Sequence, residues 1–155
     1  MEYYKADNKE IQNLVNMRVA YLKEDYGHLE NDVIEKIISS LPDYFEKHLN
    51  NDLFAYVAKD TEVVATALLL IVEKPANPSF ISGKTGVVLN VYTKEDYRRK
   101  GIANKLMKML LSDAEKLKLD YVELKATKEG YNLYKSLGFK DSVSEYKPMK
   151  YEIGK

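Results

Sequence analysis

A strand, a charged turn and an amphipathic helix follow one another at residues 87–117, and this succession limits the fold more than any other feature. The apolar, β-branched run 87–89 indicates a buried strand. The turn carries Arg98-x-x-Gly101-x-Ala103 and adjoins the start of the helix. Free backbone N–H groups at a helix N-terminus bind phosphate, and glycine allows close backbone approach, so the turn predicts an anion site. The helix is indicated by apolar residues at helical spacing, namely Ala103, Leu106, Leu110, Ala114 and Leu117.

The composition is typical of one globular domain without a strong net charge. The 155 residues include 24 Lys and Arg and 24 Asp and Glu, so we expect one domain spanning residues 1–155. This balance favours neither nucleic acid nor an anionic membrane as a partner. The chain has no cysteine, which excludes disulfides and a cysteine nucleophile, and its histidines lack metal-spaced partners, so no metal is expected. Without a signal pattern or a bilayer-length apolar run, we expect a cytoplasmic protein.

Hydrophobic periodicity along the chain predicts a mixed α/β fold. Pro42 is expected to break the second helix or to start a new turn. The order β-α-α-β-β-β-α-β-α-β-β predicts a mixed sheet with helices on both faces. Besides the central strand and its helix, the predicted elements are a strand at 3–5, two helices before residue 50, strands at 54–58, 63–72 and 121–126, a helix at 129–137 and two last strands within 139–153.

The turn and two neighbouring segments resemble the GNAT superfamily of N-acetyltransferases. Arg-x-x-Gly-x-Gly/Ala between a strand and a long helix is similar to the acyl-CoA pyrophosphate loop of that family. Asn90-Val91-Tyr92-Thr93 precedes the loop, and residues 133–139, Leu-Tyr-Lys-Ser-Leu-Gly-Phe, follow it in the expected order. The resemblance implies direct transfer of an acetyl group from acetyl-CoA to a primary amine, carried by a small molecule or a peptide. It also makes a homodimer the expected assembly.

The resemblance assigns roles to individual residues. In the family, backbone groups at a bulge before the loop bind the acyl carbonyl and the pantetheine arm, and the matching positions are Val91, Tyr92 and Thr93. The N–H of Val91 would polarise the thioester carbonyl. Tyr134 matches the tyrosine that acts as general acid near the sulfur. The remaining cofactor contacts implied are Arg98, Arg99, Lys100, Gly101, Ile102, Ala103, Asn104 and Asn132.

The general base stays open, because several family members carry a glutamate where this chain has Val87. An amine with a pKa of ~10.4 is mostly protonated at neutral pH, so some group must accept its proton. The candidates are Glu24, Asp25 and Glu123, or a chain of waters. Asn90 is a candidate to orient the amine; the alternative is that it satisfies unpaired backbone groups at a bulge.

The sequence also raises two alternatives to an acetyltransferase. The missing glutamate motivates a non-catalytic acyl-CoA-binding sensor or interaction module that has kept the loop. Ser82-Gly83-Lys84-Thr85 resembles the end of a nucleotide-binding P-loop. However, the earlier glycine of that motif would fall on Pro78, and the segment precedes a strand instead of following one. We therefore reject the P-loop and keep the sensor as the second hypothesis.

Overall fold

The computed structural model describes all 155 residues and divides them into two compact units, Met1–Lys125 and Ala126–Lys155. The expectation of a single domain stays a prediction. No helix in either unit combines the length and the apolar character that a bilayer span requires.

The first unit is a five-stranded mixed sheet with three α-helices. Its elements are β1 (Glu2–Lys5), α1 (Ile11–Tyr26), α2 (Asn31–His48), β2 (Leu53–Lys59), β3 (Val63–Glu73), β4 (Lys84–Thr93), α3 (Ile102–Lys116) and β5 (Val122–Glu123). The strands lie side by side in chain order, and every pair is antiparallel except β4 with β5. The predicted mixed α/β fold is therefore confirmed.

The main core lies between the sheet and helices α1 and α2. Leu14 and Val15 of α1 and Phe45 of α2 pack with Leu53 and Leu68 of the sheet, and burial of each such side chain contributes about 1.5–3 kcal/mol. The buried residues of α3 fall outside this cluster, as expected for a helix on the opposite face: Ile102, Leu106, Met107, Leu110 and Ala114. The two layers of helices hold the central strands from both sides.

Helix α2 runs through Pro42 without interruption, so the predicted break is wrong. A proline within a helix costs about 3 kcal/mol. Ile34 and Phe45 are both buried on the core side of this helix, before and after the proline. Their burial, at about 1.5–3 kcal/mol each, is sufficient to offset the local cost.

The second unit contains one short helix, α4 (Tyr131–Ser136). The hydroxyl of Thr127 accepts a hydrogen bond from the N–H of Gly130 at 3.1 Å just before the helix begins. Gly138 follows the helix with φ +102°, and the N–H of Phe139 donates to the carbonyl of Tyr134 at 3.0 Å. A left-handed glycine therefore closes the last turn of the helix.

The two strands predicted within residues 139–153 are absent, and this prediction is wrong. Apolar residues within a segment form a strand only where a neighbouring strand supplies hydrogen-bond partners. Pro148 removes one backbone donor from the segment. The apolar side chains after residue 140 are instead largely exposed, namely Val143, Tyr146, Met149, Tyr151 and Ile153.

Candidate functional site

A bulge interrupts the pairing of β4 with β3 shortly before the charged turn. The register shifts between Thr66 and Leu68, so that Asn90 and Val91 lie opposite the single residue Ala67. Asn90 has φ +51°, in the left-handed region that asparagine tolerates better than most residues. The bulge that the resemblance implied is present at the expected place in the strand.

The bulge is held by a buried hydrogen-bond network. The Asn90 side chain donates from Nδ2 to Oγ1 of Thr66 at 3.1 Å, and Thr66 donates to the carbonyl of Asn90 at 3.2 Å. Arg18 of α1 donates from Nη1 to Oδ1 of Asn90 at 3.3 Å. Both ends of the Asn90 amide are therefore engaged by protein groups, which matches the alternative weighed from the sequence. Sequence reasoning missed Thr66, although it is the only polar residue in the apolar run 63–72.

Beyond the bulge, the backbone groups of Val91 and Thr93 face away from β3. The N–H of Lys94 donates to the carbonyl of Val64 at 2.8 Å, and alternate residues of an antiparallel strand face opposite edges. On the far edge, β5 ends at Glu123 and pairs with β4 only near the start of that strand. The N–H of Val91 is therefore presented where the sheet has opened.

Arg98 anchors the turn to the end of α1. It donates from Nε to the carbonyl of Thr93 at 2.8 Å and from Nη2 to the carboxylate of Glu24 at 2.7 Å. The hydrogen bond from Arg98 lowers the pKa of Glu24, and the same bond raises the pKa of Arg98. A carboxylate with a lowered pKa that is already bound to a guanidinium is a poor proton acceptor. The contact therefore argues against Glu24 as the general base and indicates an anchoring role.

The backbone of the turn forms an open cradle of N–H groups. Arg99 and Gly101 have φ +61° and +78°, and left-handed residues within a turn direct successive N–H groups to one side. Helix α3 has no side-chain cap, and a Cβ on Gly101 would meet nothing within 4 Å. The first helical bond comes from Lys105 to Gly101, which leaves three N–H groups without a helical acceptor, those of Ile102, Ala103 and Asn104.

The charges at the cradle suit a diphosphate. Arg99 and Lys100 are exposed, and neither takes part in any of the seven ion pairs of the structure. The hairpin between β2 and β3 fixes the turn from the other side, through Tyr97 with Asp60 at 2.9 Å and Lys94 with Glu62 at 2.9 Å. The residues present therefore fit the pyrophosphate of an acyl-CoA.

Glu123 lies beside the position where the family glutamate is missing. It pairs in parallel register with Val87, and side chains of register partners project from the same face of a sheet. Glu123 is exposed. Of the carboxylates considered from the sequence, it is the one that the sheet brings next to Val87.

Two predicted residues, Tyr134 and Asn132, belong to the second unit. Tyr134 is buried, and its ring meets Phe139 edge-on at 5.8 Å between centroids. A Cβ on Gly130 would lie 2.8 Å from the Tyr134 ring, so an alanine there would force the ring to shift. Asn132 is exposed in the first turn of α4. The catalytic role of Tyr134 and the cofactor contact of Asn132 stay predictions.

Comparison with known proteins gives a consistent result. The family model described as Acetyltransferase (GNAT) family matches residues 12–139. A predicted acetyltransferase from Clostridium acetobutylicum, solved with acetyl-CoA, is 30% identical, with a TM-score of 0.81 over 96% of this chain and 95% of that one. A GCN5-related N-acetyltransferase from Ralstonia eutropha JMP134 shares the fold at 22% identity, with a TM-score of 0.79 over 96% and 97% of the two chains. No curated protein matches the sequence.

The family match covers both the bulged strand and the uncapped helix that follows the turn. The whole-chain similarity to the Clostridium structure extends over the same elements. This chain is a member of the GNAT acetyltransferase family.

Proposed function

We propose that the protein is an N-acetyltransferase that moves the acetyl group of acetyl-CoA directly to a primary amine. The observation that carries the proposal is the bulge at Asn90, which leaves the N–H of Val91 facing the opened edge of β4. A backbone N–H aimed at a thioester carbonyl stabilises the negative charge that develops on its oxygen. When bound, acetyl-CoA would supply an acyl group that is already activated for attack.

The chain would bind the donor at two places. The N–H groups of residues 99–104 and the side chains of Arg99 and Lys100 would bind the diphosphate. Arg98 fixes the shape of this cradle through Glu24. The edge of β4 from Val91 to the N–H of Thr93, which β5 does not cover, would accept the amide-containing arm of the cofactor, as one strand accepts another.

Two proton transfers accompany the reaction, and we assign each to one residue. Glu123 would accept the proton of the amine, because it occupies the register position beside Val87. Tyr134 would donate a proton to the departing thiolate, an assignment that rests on the family resemblance. A general acid or base typically contributes about 10²–10⁴-fold to the rate.

The proposal is tested by measuring release of free CoA with a panel of primary amines. We expect amine-dependent release with the native protein. Glu123→Gln and Tyr134→Phe should each lower kcat by about a hundredfold or more while the affinity for acetyl-CoA changes little. Glu129→Gln, an exposed carboxylate at the start of the second unit, is the matched control for Glu123→Gln.

The second candidate function is a non-catalytic acyl-CoA-binding module, which is favoured by valine at position 87. Under this alternative acetyl-CoA binds, but no amine in the panel releases CoA, and Tyr134→Phe alters nothing measurable. Unmeasurable acetyl-CoA binding by the native protein would exclude both functions. The homodimer, the single domain and the cytoplasmic location expected from the sequence remain predictions.

A further inference from the structure

Arg18 is a half-buried cation on the inner side of α1, and it has no carboxylate partner. It follows the buried Leu14 and Val15 by one helical turn, so it lies on the face that packs against the sheet. Its guanidinium makes one hydrogen bond, to Oδ1 of Asn90 at 3.3 Å, and lies 5.9 Å from the centroid of the Tyr21 ring. None of the seven ion pairs includes it.

A half-buried guanidinium without a carboxylate partner is well suited to bind an anion. It presents five N–H donors in a planar fork that matches a carboxylate or a phosphate. Arg18 directs one of these donors to a neutral amide, and the others have no protein acceptor. A positive charge that is partly removed from water without a counter-charge is unfavourable, and an anion bound beside it would relieve that cost.

Two phenols share the surroundings of this guanidinium. Burial raises the pKa of Tyr21 and of Tyr44, nearby carboxylates raise both further, and the charge of Arg18 opposes the increase in both cases. The two hydroxyls therefore lie within the electrostatic reach of Arg18. Neither hydroxyl hydrogen-bonds to another protein group, so each is available as a donor to a ligand.

The position of Arg18 relative to the bulge indicates which ligand carries the anion. Asn90, which Arg18 contacts, directly precedes Val91, and consecutive Cα atoms are about 3.8 Å apart. We propose that Arg18 binds a carboxylate or phosphate of the acceptor, so that the substrate is a small amine that also carries a negative charge. This inference rests on the proposed N-acetyltransferase function.

Matched pairs of amines test the proposal: β-alanine with β-alaninamide, and O-phosphoethanolamine with ethanolamine. The native protein should favour the charged member of at least one pair in kcat/KM by on the order of ten- to a hundredfold, the value of a charge-assisted hydrogen bond. Comparison of the two pairs distinguishes a carboxylate from a phosphate. Arg18→Gln, which keeps a donor for Asn90, should reduce the ratio to about one. Lys23→Gln, an equal change of charge at an exposed site of the same helix, should retain it.

Several results would overturn the assignment. Equal kcat/KM within both pairs would overturn it, and so would a preference for the charged amine that survives Arg18→Gln. Faster transfer from succinyl-CoA than from acetyl-CoA that depends on Arg18 would also overturn it, because it would place the anion on the acyl group.

If no amine is acetylated, the proposed function fails, and calorimetric titration of the same four compounds into the CoA-loaded protein still decides the role of Arg18. Binding of a charged member that Arg18→Gln abolishes supports it, and equal binding by both proteins rejects it. Should Arg18→Gln melt early, Arg18→Lys, which keeps the charge without the fork, replaces it and should retain only part of the preference.

Discussion

Arg98 and Glu24 form an ion pair at 2.7 Å that connects the turn before α3 to the last turns of α1, 74 residues earlier in the chain. The sequence suggested Arg98 for cofactor contact and Glu24 for proton transfer, whereas in the structure the two side chains bind each other. The pairing gives the turn a fixed position and keeps Glu24 ionised.

We expect Glu24→Gln to keep kcat within about threefold of the native value, because an anchored carboxylate with a lowered pKa contributes little as a base. Its ion pair is exposed to solvent, so the free energy of unfolding should fall by no more than about 1 kcal/mol. Steady-state kinetics and thermal melting measure both quantities, with Glu35→Gln, an exposed carboxylate on α2, as the control. A hundredfold loss of kcat at unchanged affinity for acetyl-CoA would restore Glu24 as the base.

Gly101 should be sensitive to any side chain, although open space surrounds it, because its φ of +78° strains other residues. Gly101→Ala is expected to lower the free energy of unfolding by about 1–2 kcal/mol. Gly101→Glu should in addition abolish measurable CoA binding in calorimetry, since it adds a negative charge to the cradle. Gly27→Ala, at φ +74° and equally open, should reproduce the loss of stability and leave CoA affinity intact. Equal CoA affinity in the native protein and Gly101→Glu would refute the cradle.

Thr66→Val should destabilise the protein and impair turnover. It removes the hydroxyl that accepts a hydrogen bond from Nδ2 of Asn90 and donates one to the carbonyl of Asn90. The buried amide of Asn90 would lose a partner, at a cost of about 1–3 kcal/mol, and Tm should fall by about 2–4 °C for each kcal/mol. Thr85→Val is the matched control, because Thr85 is buried in the same sheet and its hydroxyl has no hydrogen-bond partner. That change should be neutral or stabilising.

The kinetic result separates positioning from simple packing. If the network aims the N–H of Val91, Thr66→Val should lower kcat more than it raises KM for acetyl-CoA at a temperature where the variant is fully folded. A kcat that follows only the folded fraction would show that Thr66 acts through stability alone.

Acid stability should depend on Asp113. Burial raises the pKa of this carboxyl, but hydrogen bonds from Tyr56 at 2.7 Å and Lys5 at 3.0 Å outweigh burial and lower it overall. A group with a lowered pKa stabilises the fold above its unfolded pKa of about 3.9, and this contribution is lost as the pH falls further. The stability difference between native protein and Asp113→Asn, measured by denaturant unfolding, should therefore shrink below about pH 4. Asp43→Asn, at an exposed position without such contacts, should show no comparable trend.

The strand, turn and helix around Gly101 were predictable because each carries a local signal: a β-branched run, a glycine between charges and apolar residues at helical spacing. The partners of Asn90 were not, because Thr66 and Arg18 lie 24 and 72 residues away, and only the sheet register and the packing of α1 bring them to Asn90. The same limitation explains the wrong strands after residue 139. The apolar residues there are a local feature, whereas a strand exists only through pairing with another.

The general base was left open by the sequence, and the structure favours Glu123 among the candidate carboxylates. As one carboxylate among 24 acidic residues, it has no distinguishing neighbour in the chain. Its relation to Val87 appears only in the parallel register of β4 and β5, which the helix between them makes possible. Sequence reasoning could therefore include Glu123 among the candidates but could not rank it.

The anchoring of the turn by Glu24, Asp60 and Glu62 has a thermodynamic consequence. A loop that is fixed before its ligand arrives loses little conformational entropy on association, so more of the interaction energy is expressed as affinity. Amide hydrogen exchange in residues 98–101 should then change only through direct shielding by the phosphates, without the wider protection that accompanies coupled folding.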